Sequence, residues 1–181
     1  MRKILGVVAL AGAVALPAVR RVGAEAPRAA FEPAWRAVMG EWEGQGSGKP
    51  GEGGGRFSLG YDLQGQVLVR RNHSEYPAKG AAPAVVHDDL MVIYRAPGES
   101  GHRAVYFDNE GHVIHYAAEW SADGKTLTFL SDAVPGAPRF RLVYGVSAPD
   151  ELTVTFEAAP PGESRFSPYV TGKVRRVRAA P

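Results

Sequence analysis

From Gly40 onward the chain is cut by turn signals about every ten residues, and between them apolar and polar side chains alternate. A sequence interrupted so often has no room for long helices. Alternation with a period of two sends successive side chains to opposite faces of a strand. The turns are Asp62-Leu63-Gln64-Gly65, Pro97-Gly98, Asn109-Glu110-Gly111, Asp123-Gly124, Pro135-Gly136, Pro149-Asp150 and Pro160-Pro161-Gly162. They separate strand candidates at Gly40–Gly46, Arg56–Tyr61, Val67–Tyr76, Asp88–Arg95, Arg103–Asp108, His112–Ser121, Thr126–Ser131, Arg139–Val146, Leu152–Ala158 and Tyr169–Val177. No segment can serve as the crossover helix that parallel strands require. The expected fold is therefore all-β: a closed, antiparallel, up-and-down barrel of about ten strands over residues 40–178. A lead-in at 25–39 precedes it, with a short helix over Phe31–Met39 that stops at Gly40. Gly51–Gly55 reads as a flexible linker, and Ala78–Val86, flanked and broken by Pro77 and Pro83, as a loop over a pocket mouth or a spacer.

Turn lengths fix register as well as topology. If Asn109-Glu110-Gly111 is a three-residue loop with Gly111 at the bulge position, Asp108 faces His112, Tyr106 pairs with Ile114 and Ala104 with Tyr116. A four-residue loop over 122–125 then pairs Trp120 with Leu127 and Ala118 with Phe129. These pairings place Ala104, Tyr106, Ile114, Tyr116, Ala118 and Trp120 on one face, read as the inner one because Arg103 and Glu119 lie on the other. Phe140, Leu142 and Tyr144 oppose Arg139 and Arg141 in the same way, and Leu152, Val154 and Phe156 oppose Thr153, Thr155 and Glu157. Tyr94, Tyr106, Tyr116, Tyr144 and Trp120 thus form an expected inward set of flat rings with polar tips. Such a set suits an apolar cavity with a few hydrogen-bonding positions, or a filled core.

Val67–Tyr76 has no clear apolar face. Whichever way it turns, one of Arg70 and Arg71 points inward, and Arg70 is taken as that residue. A buried guanidinium needs a partner. Either an ion pair with Asp88, Asp108 or Glu75 or a ligand carboxylate or phosphate would supply one. Among the histidines, His112 and His115 point to opposite faces of one strand, which disfavours a shared metal. His87-Asp88-Asp89 reads as a solvated turn. Asp108 beside His112 is either a hydrogen bond closing the turn or an acid–base pair. Gly51–Gly55 lacks the Lys-Ser/Thr ending of a phosphate loop, and there is no serine-nucleophile motif. The reading leans away from an enzyme.

Arg2 and Lys3, the apolar run from Ile4 to Val19 and the small residues Val22-Gly23-Ala24 have the layout of a secretory signal over residues 1–24. An uncleaved anchor is the competing reading, although the run is short for a membrane span. The expected address is exported, periplasmic or secreted. The chain has 21 Lys+Arg and 19 Asp+Glu. Removing the four basic residues of positions 1–24 leaves 17 basic against 19 acidic, a net charge of −2. That balance gives no basic surface for nucleic acid. Without cysteine there is neither a disulfide framework nor a lipid-bearing N-terminal thiol.

The most specific motif is Gly40-Glu41-Trp42-Glu43-Gly44-Gln45-Gly46. A Gly-x-Trp on the first strand after a short helix resembles the lipocalin-like, or calycin, barrels. The resemblance implies that Trp42 packs across the barrel base beneath an arginine late in the last strand. Arg176 is the candidate, since Val170, Gly172, Val174 and Arg176 share a face. The chain is similar, over most of Phe31 to Arg176, to a bacterial lipocalin-like family of unknown function whose members are often exported. That similarity also rests on Asp89-Leu90-Met91-Val92-Ile93-Tyr94 and on Tyr106 through Ile114. More distantly it resembles the nitrobindin-like haem barrels, which hold haem through a late histidine. This chain has no histidine after His115, so haem would need His112 or another residue in a new role.

These readings give an expected binding module. Its occupant would be a small, largely apolar or amphipathic molecule lined by Tyr94, Tyr106, Tyr116, Trp120, Tyr144, Arg70 and His112, with Trp42 and Arg176 closing the barrel. No cofactor is required. A haem-binding barrel and an envelope scaffold with a filled core are the alternatives.

Overall fold

The computed structural model describes residues 31, 33–44 and 54–178. The expected signal at 1–24, the start of the lead-in and most of the glycine linker lie outside the described residues. The rest is a closed antiparallel barrel of ten strands, each hydrogen-bonded to its sequence neighbours, with the first and last strands completing the ring. In chain order they are β1 (Gly40–Gly44), β2 (Gly54–Asp62), β3 (Val67–Tyr76), β4 (Val85–Arg95), β5 (His102–Asp108), β6 (Val113–Trp120), β7 (Thr126–Ser131), β8 (Arg139–Ala148), β9 (Glu151–Ala159) and β10 (Ser167–Arg178). Closure removes the full-length edges that an open sheet would leave, with the described seam between β1 and β10 running over Val174–Arg178. No helix among the described residues is long and apolar enough to cross a membrane.

The expected register is present. Tyr106 pairs with Ile114 and Ala104 with Tyr116. Trp120 pairs with Leu127 and Ala118 with Phe129. The reason is local: Gly111 has φ 92°, and its N–H closes the turn on the Asp108 carbonyl at 3.2 Å. That backbone geometry costs a residue with a side chain but not glycine. Most strands shift at one or both ends by a residue or two, and two elements depart further from expectation. The helix expected over Phe31–Met39 is only a five-residue 3₁₀ turn, Pro33–Ala37. Strand β4 begins at Val85, where Val85 and Val86 pair with Tyr76 and Glu75, so the expected loop over Ala78–Val86 is shortened from its far side.

The two ends of the barrel are built differently. The 3₁₀ turn lies across the end where β5 begins and β6 ends, and it seals that end with aromatic rings. Trp35 is wholly buried, edge-on to Trp120 at 5.9 Å and to His102 at 5.0 Å. Phe31 stacks on His102 at 4.8 Å. Around this plug Leu68, Ile93, Leu127 and Leu152 are fully buried. The opposite end, framed by the connections at 77–84, 109–112, 132–138 and 160–166, has no such plug among the described residues. There the inward residues Tyr106, Ile114, Phe140 and Phe156 are only partly buried.

Candidate functional site

The barrel closes where Trp42 pairs with Arg176. The Arg176 guanidinium lies 4.1 Å from the centre of the Trp42 ring. It also donates to the carbonyls of Met39, Ala37 (2.8 Å) and Pro149 (3.0 Å), while the Trp42 indole N–H donates to the Val38 carbonyl at 2.9 Å. One arginine thus ties the first strand, the last strand, the plug and the β8–β9 turn together. A planar fork of donors over an aromatic face makes both kinds of contact at once.

Inside the barrel, alternation along β3 turns Leu68, Arg70, Asn72 and Ser74 inward and Arg71 outward. Arg70 is 6 % exposed, which settles it as the inner arginine of the pair. Its Nη1 donates to Asp89, whose side chain is 5 % exposed, and its guanidinium lies 5.1 Å from the centre of Phe57. The partner is therefore Asp89, not Asp88, Asp108 or Glu75. Tyr144 is buried beside the same guanidinium, and neither its hydroxyl nor Arg70 Nε has a partner within hydrogen-bonding geometry. Tyr116, Phe129, Tyr144 and Phe57 follow one another across the barrel at ring separations of 5.7–6.3 Å and make a floor.

Above that floor a polar chain climbs the wall toward the open end. His87 and Asp89, two residues apart on β4, share the inner face. The His87 Nε2 lies 3.5 Å from Asp89 Oδ2 and 3.0 Å from the Tyr106 hydroxyl, and its Nδ1 is 3.0 Å from Glu110 Oε1. The Tyr106 O–H donates to Asp108 Oδ2 at 3.3 Å, and His112 Nδ1 meets the same oxygen at 2.8 Å. Hydrogen bonding to Asp89, opposed by burial and helped by Glu110, pushes the His87 pKa up to about 9, so it is a cation at neutral pH. Burial raises the Tyr106 and Tyr116 phenols, which stay protonated. For Asp108, burial acts to raise the pKa, but donors from His112 and Glu110 outweigh it and hold the carboxyl below its ordinary value.

Of the expected site residues, the barrel gathers Arg70, Tyr106, Tyr116 and Tyr144. Three stand elsewhere. Tyr94 is on the outer face, because Met91 and Ile93 on β4 are fully buried and Tyr94 has the opposite parity. Trp120 is inward but belongs to the plug, against Trp35. His112 sits at the rim, 57 % exposed and bonded to Asp108. The pairing of Asp108 with His112 does close the turn, since Asp108 Oδ1 also accepts from the backbone N–H of Glu110 and His112 at 3.0 and 2.9 Å. Sequence reasoning missed His87 and Asp89, reading them as a solvated turn. The i, i+2 spacing of an acid and a histidine next to an inward arginine was the available signal.

The described histidines do not suit haem. His112 is at the rim, His87 has both ring nitrogens engaged, and His102 is stacked in the plug. His73 lies between the carboxylates of Asp88 and Glu75, at 2.7 and 3.0 Å, and His115 is exposed. A depression of about 680 Å³ is lined chiefly by outward-facing residues, among them Arg56, Arg71, His73, Asp88 and Phe107, and it reaches Phe57, Asp89 and Asp108 of the inner wall. Comparison with protein-family models and with the curated proteins finds no match.

Proposed function

We propose that this chain is an exported, lipocalin-like barrel that binds a small, largely apolar molecule in the open half of its interior. One observation carries the reading. Trp35, Leu68, Ile93, Leu127 and Leu152 fill the plugged end and are fully buried, yet Tyr106, Ile114, Phe140 and Phe156 near the opposite end are inward, partly exposed and covered by no plug among the described residues. A half-open barrel lined by rings and aliphatic groups, with polar groups grouped on one wall, has the chemistry of a small-molecule site. Phe140 and Phe156 stack at 5.7 Å with nearly parallel planes and offer flat apolar surface there. The Trp42–Arg176 contact is the feature that favours a calycin-like kinship. Export rests on the layout of residues 1–24.

Native mass spectrometry of the protein purified from its own host tests the reading. A bound mass that disappears on denaturation, and that is lost when Phe156 is replaced by Arg to fill the open half, is the expected result. A species carrying the bare polypeptide mass throughout, with no uptake of apolar probes, overturns it.

A further inference from the structure

The inner wall holds two cations and two anions. Arg70 is paired with Asp89, and Asp108 is buried within reach of Tyr106. His87 is flanked by carboxylates at both ring nitrogens, with Asp89 on one side and Glu110 on the other. Glu110 and His112 lie at the rim, where solvent screens them. The charges facing the interior therefore cancel: Arg70 and His87 against Asp89 and Asp108. The hydrogen-bonding inventory does not cancel. Among the described residues, the buried side-chain polar atoms without a partner are Arg70 Nε, Trp120 Nε1, Arg139 Nε and the Tyr144 hydroxyl, and no carboxylate oxygen is among them. Two of these atoms, Arg70 Nε and the Tyr144 hydroxyl, belong to neighbours at the inner end of the site.

Resting on the proposed binding of an apolar molecule, we infer that the barrel selects a neutral ligand bearing one hydrogen-bond acceptor, such as a ketone, ester or amide carbonyl, and discriminates against carboxylates. A carboxylate would add an uncompensated negative charge to a balanced, poorly solvated interior. At the donors of Arg70 Nε and Tyr144 it would also stand beside the buried Asp89 carboxylate and compete with it for the one guanidinium. A carbonyl adds no charge and supplies the acceptor that the Arg70–Tyr144 pair lacks. The apolar remainder then extends past Ile114, Phe140 and Phe156 toward the open end.

Two probes of equal length separate the alternatives: 2-undecanone, and decanoate, in which a charged oxygen replaces the terminal methyl. Calorimetric titration of the full chain at pH 7 is expected to give the ketone an affinity at least about tenfold higher than that of the carboxylate. Replacing Tyr144→Phe should weaken the ketone several-fold and leave decanoate nearly unchanged. Replacing Asp89→Asn frees Arg70 and should reverse the preference, with circular dichroism showing that the barrel is intact. Tighter binding of decanoate by the unaltered chain overturns the inference while leaving the binding reading in place. So does an unaltered ketone affinity in Tyr144→Phe, or an unreversed preference in folded Asp89→Asn. Binding of neither probe by the unaltered chain overturns the binding reading itself, and the inference with it.

Discussion

Arg176 shows how much a single residue can hold when its geometry is planar. It covers Trp42 and donates to three backbone carbonyls, two in the lead-in and one in the β8–β9 turn. Replacing Arg176→Lys keeps the charge but loses the fork, and should cost about 1–3 kcal/mol, read as a lower urea midpoint with an unchanged slope. A cost within experimental scatter would mean that the seam does not depend on the guanidinium. His87 gives a second test at this scale. Its folded pKa of about 9 lies above the ordinary histidine value near 6.5, so folding binds its proton more tightly than the unfolded chain does. Its stabilising contribution is fully present below about pH 6.5 and is lost as pH rises through about 9. Unfolding free energy should therefore fall across that window, and replacing His87→Gln should flatten the fall. A decline of equal size in the variant would assign the effect to other groups.

The strands differ in how plainly they declare their faces. On β7, β8 and β9 one face is mainly apolar and the other mainly charged or hydroxylated, so alternation alone assigns both, and Leu127, Phe129, Leu142, Tyr144 and Leu152 are buried as expected. Strand β4 has apolar residues on both faces: Met91 and Ile93 inside, Leu90 and Val92 outside, paired with Phe107 and Val105. Its parity was not legible. Turning Tyr94 inward had the further effect of turning Asp89 and His87 outward, so one misassigned strand hid both the partner of Arg70 and the polar wall. Strand β3, polar on both sides, gave only the choice between Arg70 and Arg71, which electrostatics resolves once Asp89 is in place. Turns were the most readable elements. Gly111 and Gly124 both have positive φ, 92° and 67°, at positions their hairpins require. Replacing Gly124→Ala leaves ample space for a Cβ but strains the backbone. It should cost about 1–2 kcal/mol, measured by thermal unfolding, with strand content unaltered by circular dichroism. A melting temperature equal to that of the parent would show that the turn can relax.

At the scale of the whole molecule, the barrel divides into a plugged half that resembles a conventional core and an open half that does not. The plug is local in sequence, since Phe31, Trp35, Val38 and Met39 are all delivered by one short lead-in and all are buried. The barrel wall is also local, because every strand but β1 and β10 pairs only with its immediate neighbours. Stability should therefore be unequal along the barrel axis, even though every strand but the short β1 runs through both halves. Amide exchange in the native state reads this directly, because exposed ladders open at lower free energy than those packed on a core. Amides of β5, β6 and β7 near His102, Ala118 and Leu127 should exchange by global unfolding. Those near Asp108, Val113 and Ser131 should exchange through smaller openings. Replacing Trp35→Ala removes the centre of the plug and should cost about 3–5 kcal/mol. Because the plugged half sets the global limit, its slow amides should speed up by that full amount, while those at the open end change little. Uniform acceleration of both groups would show instead that the barrel opens as one unit.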